Sequence, residues 1–149
     1  MIRLRAMEPE DLDLLYRIEN DADLWAVGET NVPYSRYTLH DYIATSSDDI
    51  FADRQLRLII EKENPDASLS PHTPHHSPLT VGIADLINFD PRHRRAEVGI
   101  VIEQPCRRRG YARAALQAVH DYARRVIHLH QLYRAAGGIS PAEGFDDFL

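Results

Sequence analysis

Cysteine is nearly missing from this chain. Cys106 is the only one in 149 residues, which excludes an internal disulfide and a zinc site built on thiolates. No apolar run approaches the length of a membrane span, and the N-terminus carries no signal-peptide pattern. A cytoplasmic setting without membrane contact is therefore expected. Positive charge is in deficit: Lys plus Arg number 17 against 23 for Asp plus Glu, a net charge of −6. That balance argues against a nucleic-acid partner. Neither G-x-x-x-x-G-K-[ST] nor G-x-G-x-x-G follows a strand, so nucleotide hydrolysis and dinucleotide binding lack their usual phosphate loops.

What is present, with 44% hydrophobic and 27% charged residues, is the make-up of one globular domain with a real core. Its most organised stretch runs from Glu97 to Val126, EVGIVIEQPCRRRGYARAALQAVHDYARRV. Val98-Gly99-Ile100-Val101-Ile102 is a near-continuous apolar run of central-strand length. Pro105 ends it, having no N–H for a ladder. Beyond the turn, Ala112, Ala115, Leu116, Val119, Tyr122, Ala123 and Val126 recur at steps of three and four, which predicts a long amphipathic helix. Gly110 allows a tight turn before that helix. The first helical turn has free N–H groups and the positive end of the dipole, and Arg107, Arg108 and Arg109 add charge beside it. Such a place suits phosphate or pyrophosphate. The same pattern also describes a solvated basic turn.

Ile2 to Ala6 alternates as an outer strand. Pro9 fits the first turn of a helix carrying Leu12, Leu15 and Tyr16, with Asp11 near its N-terminus. Thr38-Leu39-His40-Asp41 fits a capping box opening a second helix. Gln55 to Glu61, Thr80 to Phe89 and Arg95 to Glu103 read as further strands, with turn chemistry at Asp90-Pro91-Arg92-His93. Residues 64–79 read as a flexible hairpin loop. Its His72, His75 and His76 lack the surroundings that orient metal ligands, so no metal is expected.

Arg107-Arg108-Arg109-Gly110-Tyr111-Ala112 resembles the [QR]-x-x-G-x-[GA] loop of the GCN5-related N-acetyltransferases, placed as in that family between a strand and a helix. The resemblance runs from Ile2 to about Tyr133. It is closest to the branch of spermidine and ribosomal-protein N-terminal acetyltransferases, through IRLRAMEPEDL, VGIADLINFDPRHRRAEVGIVI and LHQLY. It implies an α/β (α+β) fold with a mostly antiparallel mixed sheet of about five strands flanked by helices. Residues 1–133 would form the acyl-CoA-binding domain and 134–149 an irregular tail, truncated or divergent after Tyr133 and lacking the usual strand, helix and hairpin.

The function implied is an acetyl-CoA-dependent N-acetyltransferase acting on a polyamine, another small amine or a peptide N-terminus, as a homo-oligomer or alone. The main chain of Arg107 to Ala112 would hold the pyrophosphate, and Ile100, Val101 and Ile102 the pantetheine arm. Glu97 would take the amine proton directly or through a water. Its alternative is a strand carboxylate paired with Arg94 or Arg95. Glu29, Tyr34 and Asp85 would line the acceptor side. Pro141 stands where relatives carry the tyrosine proposed as general acid. That departure supports the alternative expectation, a catalytically weak CoA-binding module or one that depends on a partner chain.

Overall fold

The computed structural model describes residues 2–21, 33–63 and 79–133. The expected tail at 134–149, all but the last residue of the 64–79 loop, and Glu29 lie outside them. The chain runs through β1 (Ile2–Ala6), a 3-10 turn (Pro9–Asp11), α1 (Leu12–Glu19), α2 (Arg36–Thr45), a short α3 (Ile50–Asp53) and β2 (Leu56–Lys62). It continues through β3 (Leu79–Asp90), β4 (Arg95–Ile102), a second 3-10 turn (Gln104–Cys106), α4 (Tyr111–Tyr122), a π-helical turn (Ala123–Ile127) and β5 (Gln131–Tyr133). The strands lie in the order β1-β2-β3-β4-β5. The first three pairings are antiparallel and β4–β5 is parallel. This is the mostly antiparallel mixed sheet that the family resemblance implied.

Both faces of the middle strands are covered. On one face α4 sets Ala115, Leu116 and Val119 against Leu58, Ile60, Ala84, Leu86, Val98 and Ile100. On the other, Leu14, Leu15 and Ile18 of α1 and Leu39 of α2 pack on Ile59 and Ile83. That double cover explains the continuous apolar run Leu58-Ile59-Ile60. Each fully buried aliphatic side chain contributes about 2 kcal/mol. In β4 the pattern differs. Ala96, Val98, Ile100 and Ile102 are buried under α4, whereas Glu97, Gly99 and Val101 on the reverse face are only half-buried. The strand alternates because α1 and α2 leave that part of the sheet partly open.

Two local expectations are corrected and one is extended. The cap of α2 is Ser35, whose Oγ accepts from Thr38 N–H at 3.0 Å, so Thr38 lies inside the helix. Asp11 is 4% exposed and serves more than the helix dipole: it takes both outer nitrogens of Arg5 at 2.8 Å and the Glu8 N–H at 2.8 Å. Val126 is 61% exposed and Ile127 is buried in its place. The π-helical turn inserts one residue into the helical count, which moves the inward position by one.

Two glycine-related features fix the sheet near β4. A Cβ on Gly82 would lie 2.0 Å from Val101 O, so only glycine lets β3 approach β4 there. Next to it the β2–β3 register slips between Ile60 and Glu61, a bulge that turns the end of β3.

Candidate active site

The site begins where β4 ends. Pro105 opens the second 3-10 turn, in which Cys106 N–H donates to Glu103 O at 2.8 Å and Arg107 N–H to Gln104 O at 3.2 Å. Arg108 (φ 64) and Gly110 (φ 81) then adopt left-handed backbone on either side of Arg109. The earliest bond of α4 is Ala114 N–H to Gly110 O at 3.1 Å. The N–H groups of Tyr111, Ala112 and Arg113 precede it and have no acceptor in the helix. These donors and the positive end of the helix dipole meet at the start of α4, and Arg108 and Arg109, both exposed, add charge in the adjoining turn. A Cβ built on Gly110 meets nothing within 4 Å, so the space over the helix end is open.

Arg107 is not part of that donor set. Its N–H is spent inside the turn, its Nε donates to Ile102 O at 2.9 Å, and its Nη2 lies 3.6 Å from Asp21. Together with Arg17, whose Nε donates to Glu103 at 2.7 Å, it ties the end of α1 to the exit of β4. Arg107 is thus a brace for the loop.

The second component is the edge of β4. Pairing with β5 covers only Arg95, Ala96 and Glu97. Glu103 N–H donates to Val81 O at 2.8 Å, on the β3 side. By the alternation of an antiparallel ladder, Val101 and Gly99 also turn their peptide groups to β3, and Ile100 and Ile102 turn theirs the other way. Beyond Tyr133 no described strand meets them. Val101 therefore departs from the expected set: its main chain belongs to the sheet and its side chain packs toward α1 and α2.

The third component is the half-open face of β4. Gly99 forms its floor, with nothing within 4 Å of a built Cβ. Glu97 stands beside it, at the last position paired with β5, opposite Tyr133. Its partner is neither Arg94 nor Arg95. Asn88, left-handed at φ 51 where the β3–β4 register slips, donates Nδ2 to Glu97 Oε2 at 2.7 Å. Asp85 sits opposite Gly99 and is held by Arg57, through Nε at 2.7 Å and Nη2 at 2.9 Å. Arg57 also donates to Glu19 at 2.8 Å and lies 5.3 Å from the Tyr42 ring centre. Burial works against its charge, but Asp85, Tyr42 and Glu19 together raise its pKa above the usual arginine value. Burial likewise raises the pKa of Tyr42. Tyr34 is fixed at this face by Asn20, which accepts from Tyr34 N–H at 2.8 Å and donates to Tyr34 O at 3.0 Å.

Asn20, Arg57 and Asn88 were absent from the sequence expectations. Only Arg57 carried a signal there, as a charge within the apolar run LRLII.

Fold and site define an acetyltransferase-type domain, and the chain belongs to the GNAT acetyltransferase family: the acetyltransferase (GNAT) domain model matches residues 2–136. It is similar to the spermidine N(1)-acetyltransferase of Escherichia coli K12, with 26% identity over 133 residues, covering 89% of this chain and 62% of that protein. The Vibrio cholerae enzyme of the same name is 24% identical over 132 residues, covering 89% and 67%. In fold, the chain matches the crystal structure of Vibrio cholerae spermidine N-acetyltransferase in complex with CoA and spermine with a TM-score of 0.70 and 21% identity, covering 88% of this chain and 68% of that one. The chain thus spans about 62% of the length of the Escherichia coli relative.

Proposed function

We propose that the chain transfers an acetyl group from acetyl-CoA to a primary amine, with a polyamine as the favoured substrate class. One observation carries this reading: the N–H groups at the start of α4, without acceptors in the helix, adjoin an edge of β4 that no described strand covers. The pyrophosphate binds the amides from Arg108 to Ala112, with Arg108 and Arg109 as its counter-charges. The pantetheine arm runs back along β4 as an added strand, pairing with Ile102 and Ile100. From Ile102 to Glu97 is about 17 Å of strand, which brings the acyl end to Glu97 and Gly99.

A neutral amine reaches the thioester carbon from the half-open face, near Asp85 and Tyr34. Ile100 N–H donates to the developing oxyanion. The amine loses its proton to Glu97 as the carbon–sulfur bond breaks and the coenzyme thiolate leaves. Asp85 attracts the cationic amine less than a bare carboxylate would, since Arg57 already takes both its oxygens; its role is to shape the acceptor wall. The polyamine assignment draws on the spermidine acetyltransferase relatives.

The test is a thermal-shift series with CoA, acetyl-CoA and dephospho-CoA, then thiol release with spermidine, spermine, short diamines and a peptide with a free N-terminus. Stabilisation by acetyl-CoA and thiol release with a polyamine are expected. Stabilisation without thiol release from any amine would favour a CoA-binding module of weak turnover, the reading that Pro141 in place of the relatives' tyrosine supports.

A further inference from the structure

The other end of α4 gathers arginines that lie far apart in sequence. The β3–β4 turn carries Arg92, Arg94 and Arg95, and the π-helical turn carries Arg124 and Arg125; all five are exposed. Backbone bonds join the segments. His130 N–H donates to Arg94 O at 2.7 Å, Gln131 N–H to the same oxygen at 3.3 Å, and Leu129 N–H to Ala123 O at 2.9 Å. Arg94 at φ 52 and His128 at φ 60 turn the chain in left-handed conformations. The patch is therefore built on main-chain geometry and not on side-chain contacts.

Acidic neighbours do not neutralise it. Asp90 is bound by His93 at 2.8 Å and lies 3.9 Å from Arg95. Asp121 lies one helical turn before Arg124 and Arg125. Arg92, Arg94, Arg124 and Arg125 make no ion pair among the described residues. A guanidinium without a carboxylate presents a planar fork suited to phosphate oxygens. A protein partner would call for Trp or Tyr anchors beside the arginines, and the patch offers only Val126 as an exposed large apolar side chain. The net charge of −6 weighs against a nucleic acid over the surface as a whole, as the composition implied, and this end is a local exception whose positive charge attracts a polyanion.

We propose that this arginine patch docks the phosphate backbone of a nucleic acid. No Phe, Tyr or Trp lies among the exposed residues of the patch, whose only rings are the imidazoles of His93, His128 and His130, so binding is chiefly through phosphates. A second basic cluster, Arg108, Arg109 and Arg113, lies about 15–25 Å away along the helix axis, and the experiment must separate the two.

Fluorescence anisotropy of a labelled duplex RNA of about twenty base pairs, read across a salt series, makes the separation. Four phosphate contacts predict that log affinity falls against log salt with a slope of about −4. The double variant Arg124→Ala/Arg125→Ala should lower the slope magnitude by about 2 and weaken binding about tenfold or more at low salt. Duplex DNA of the same length should behave alike. In the same variant the CoA-induced melting shift should stay as in the wild type, whatever its size, so a failed acetyltransferase reading remains distinguishable. Loss caused by Arg108→Ala/Arg109→Ala instead, no wild-type binding at low salt, or equal binding to poly-glutamate or anionic vesicles would overturn the proposal.

Discussion

Gly110 and Gly82 are both indispensable, for opposite reasons. At Gly110 a Cβ enters open space, and the obstacle is the backbone at φ 81. Gly110→Val should cost about 1–2 kcal/mol of stability and leave a folded protein whose melting temperature no longer responds to CoA. At Gly82 a Cβ collides with Val101 O. Gly82→Ala must force β3 from β4, and chemical denaturation should show a loss of about 3 kcal/mol or an unfolded chain. Asp90 supplies a pH-dependent case. The His93 side chain, followed by the His93 and Arg92 backbone N–H groups, lowers its pKa from 3.8 to about 2. A carboxylate depressed on folding stabilises above its unfolded pKa and loses that contribution as pH falls toward its folded value. Asp90→Asn should therefore flatten the acid limb of stability between 3.8 and about 2, as read by acid titration of the circular dichroism signal.

At the scale of elements, Arg57 joins β2, β3 and α1. Arg57→Met removes the cation that Asp85 and Glu19 share, and a loss of about 3 kcal/mol is expected in urea melts; Arg57→Lys should recover only part, having no fork for Asp85. Much of the element plan was legible beforehand. Strands and the long helix follow from periods of two and 3.6, and their observed bounds stay within a residue or two of the expected ones. The misses have physical causes. Val126 fits a perfect helical stripe, but hydrogen-bond spacing widens from Ala123 onward, and no pattern of apolar residues announces a π-helical turn. Ser35 and Thr38 are both good caps, and choosing between them takes the packing of α2 on α1. Arg107 matches the family's loop letter by letter, yet its N–H and guanidinium are drawn into bracing the turn. That choice depends on Ile102 O and Asp21, which composition and spacing do not place.

At the scale of the molecule, β4 links three features: helix amides beyond its end, an edge that no described strand covers past Glu97, and a half-open face bearing Glu97. Asn88 holds one oxygen of Glu97, and in the proposed mechanism the other takes the amine proton. Glu97→Gln should lower kcat in thiol-release assays by about a hundredfold or more, with KM for acetyl-CoA little changed. Sequence alone pointed to the loop and to the carboxylate. Their placement toward opposite ends of one strand, with the described β5 covering only Arg95 to Glu97 and no described strand pairing Ile100 or Ile102, took the sheet order to see.

The most direct measurement follows backbone amide resonances of isotopically labelled protein during titration with CoA. Saturable shifts at Arg108 through Ala112 and along Ile100 to Ile102, with little change at Arg107, are predicted. Shifts confined to other regions, or none at saturating coenzyme, would contradict the central claim.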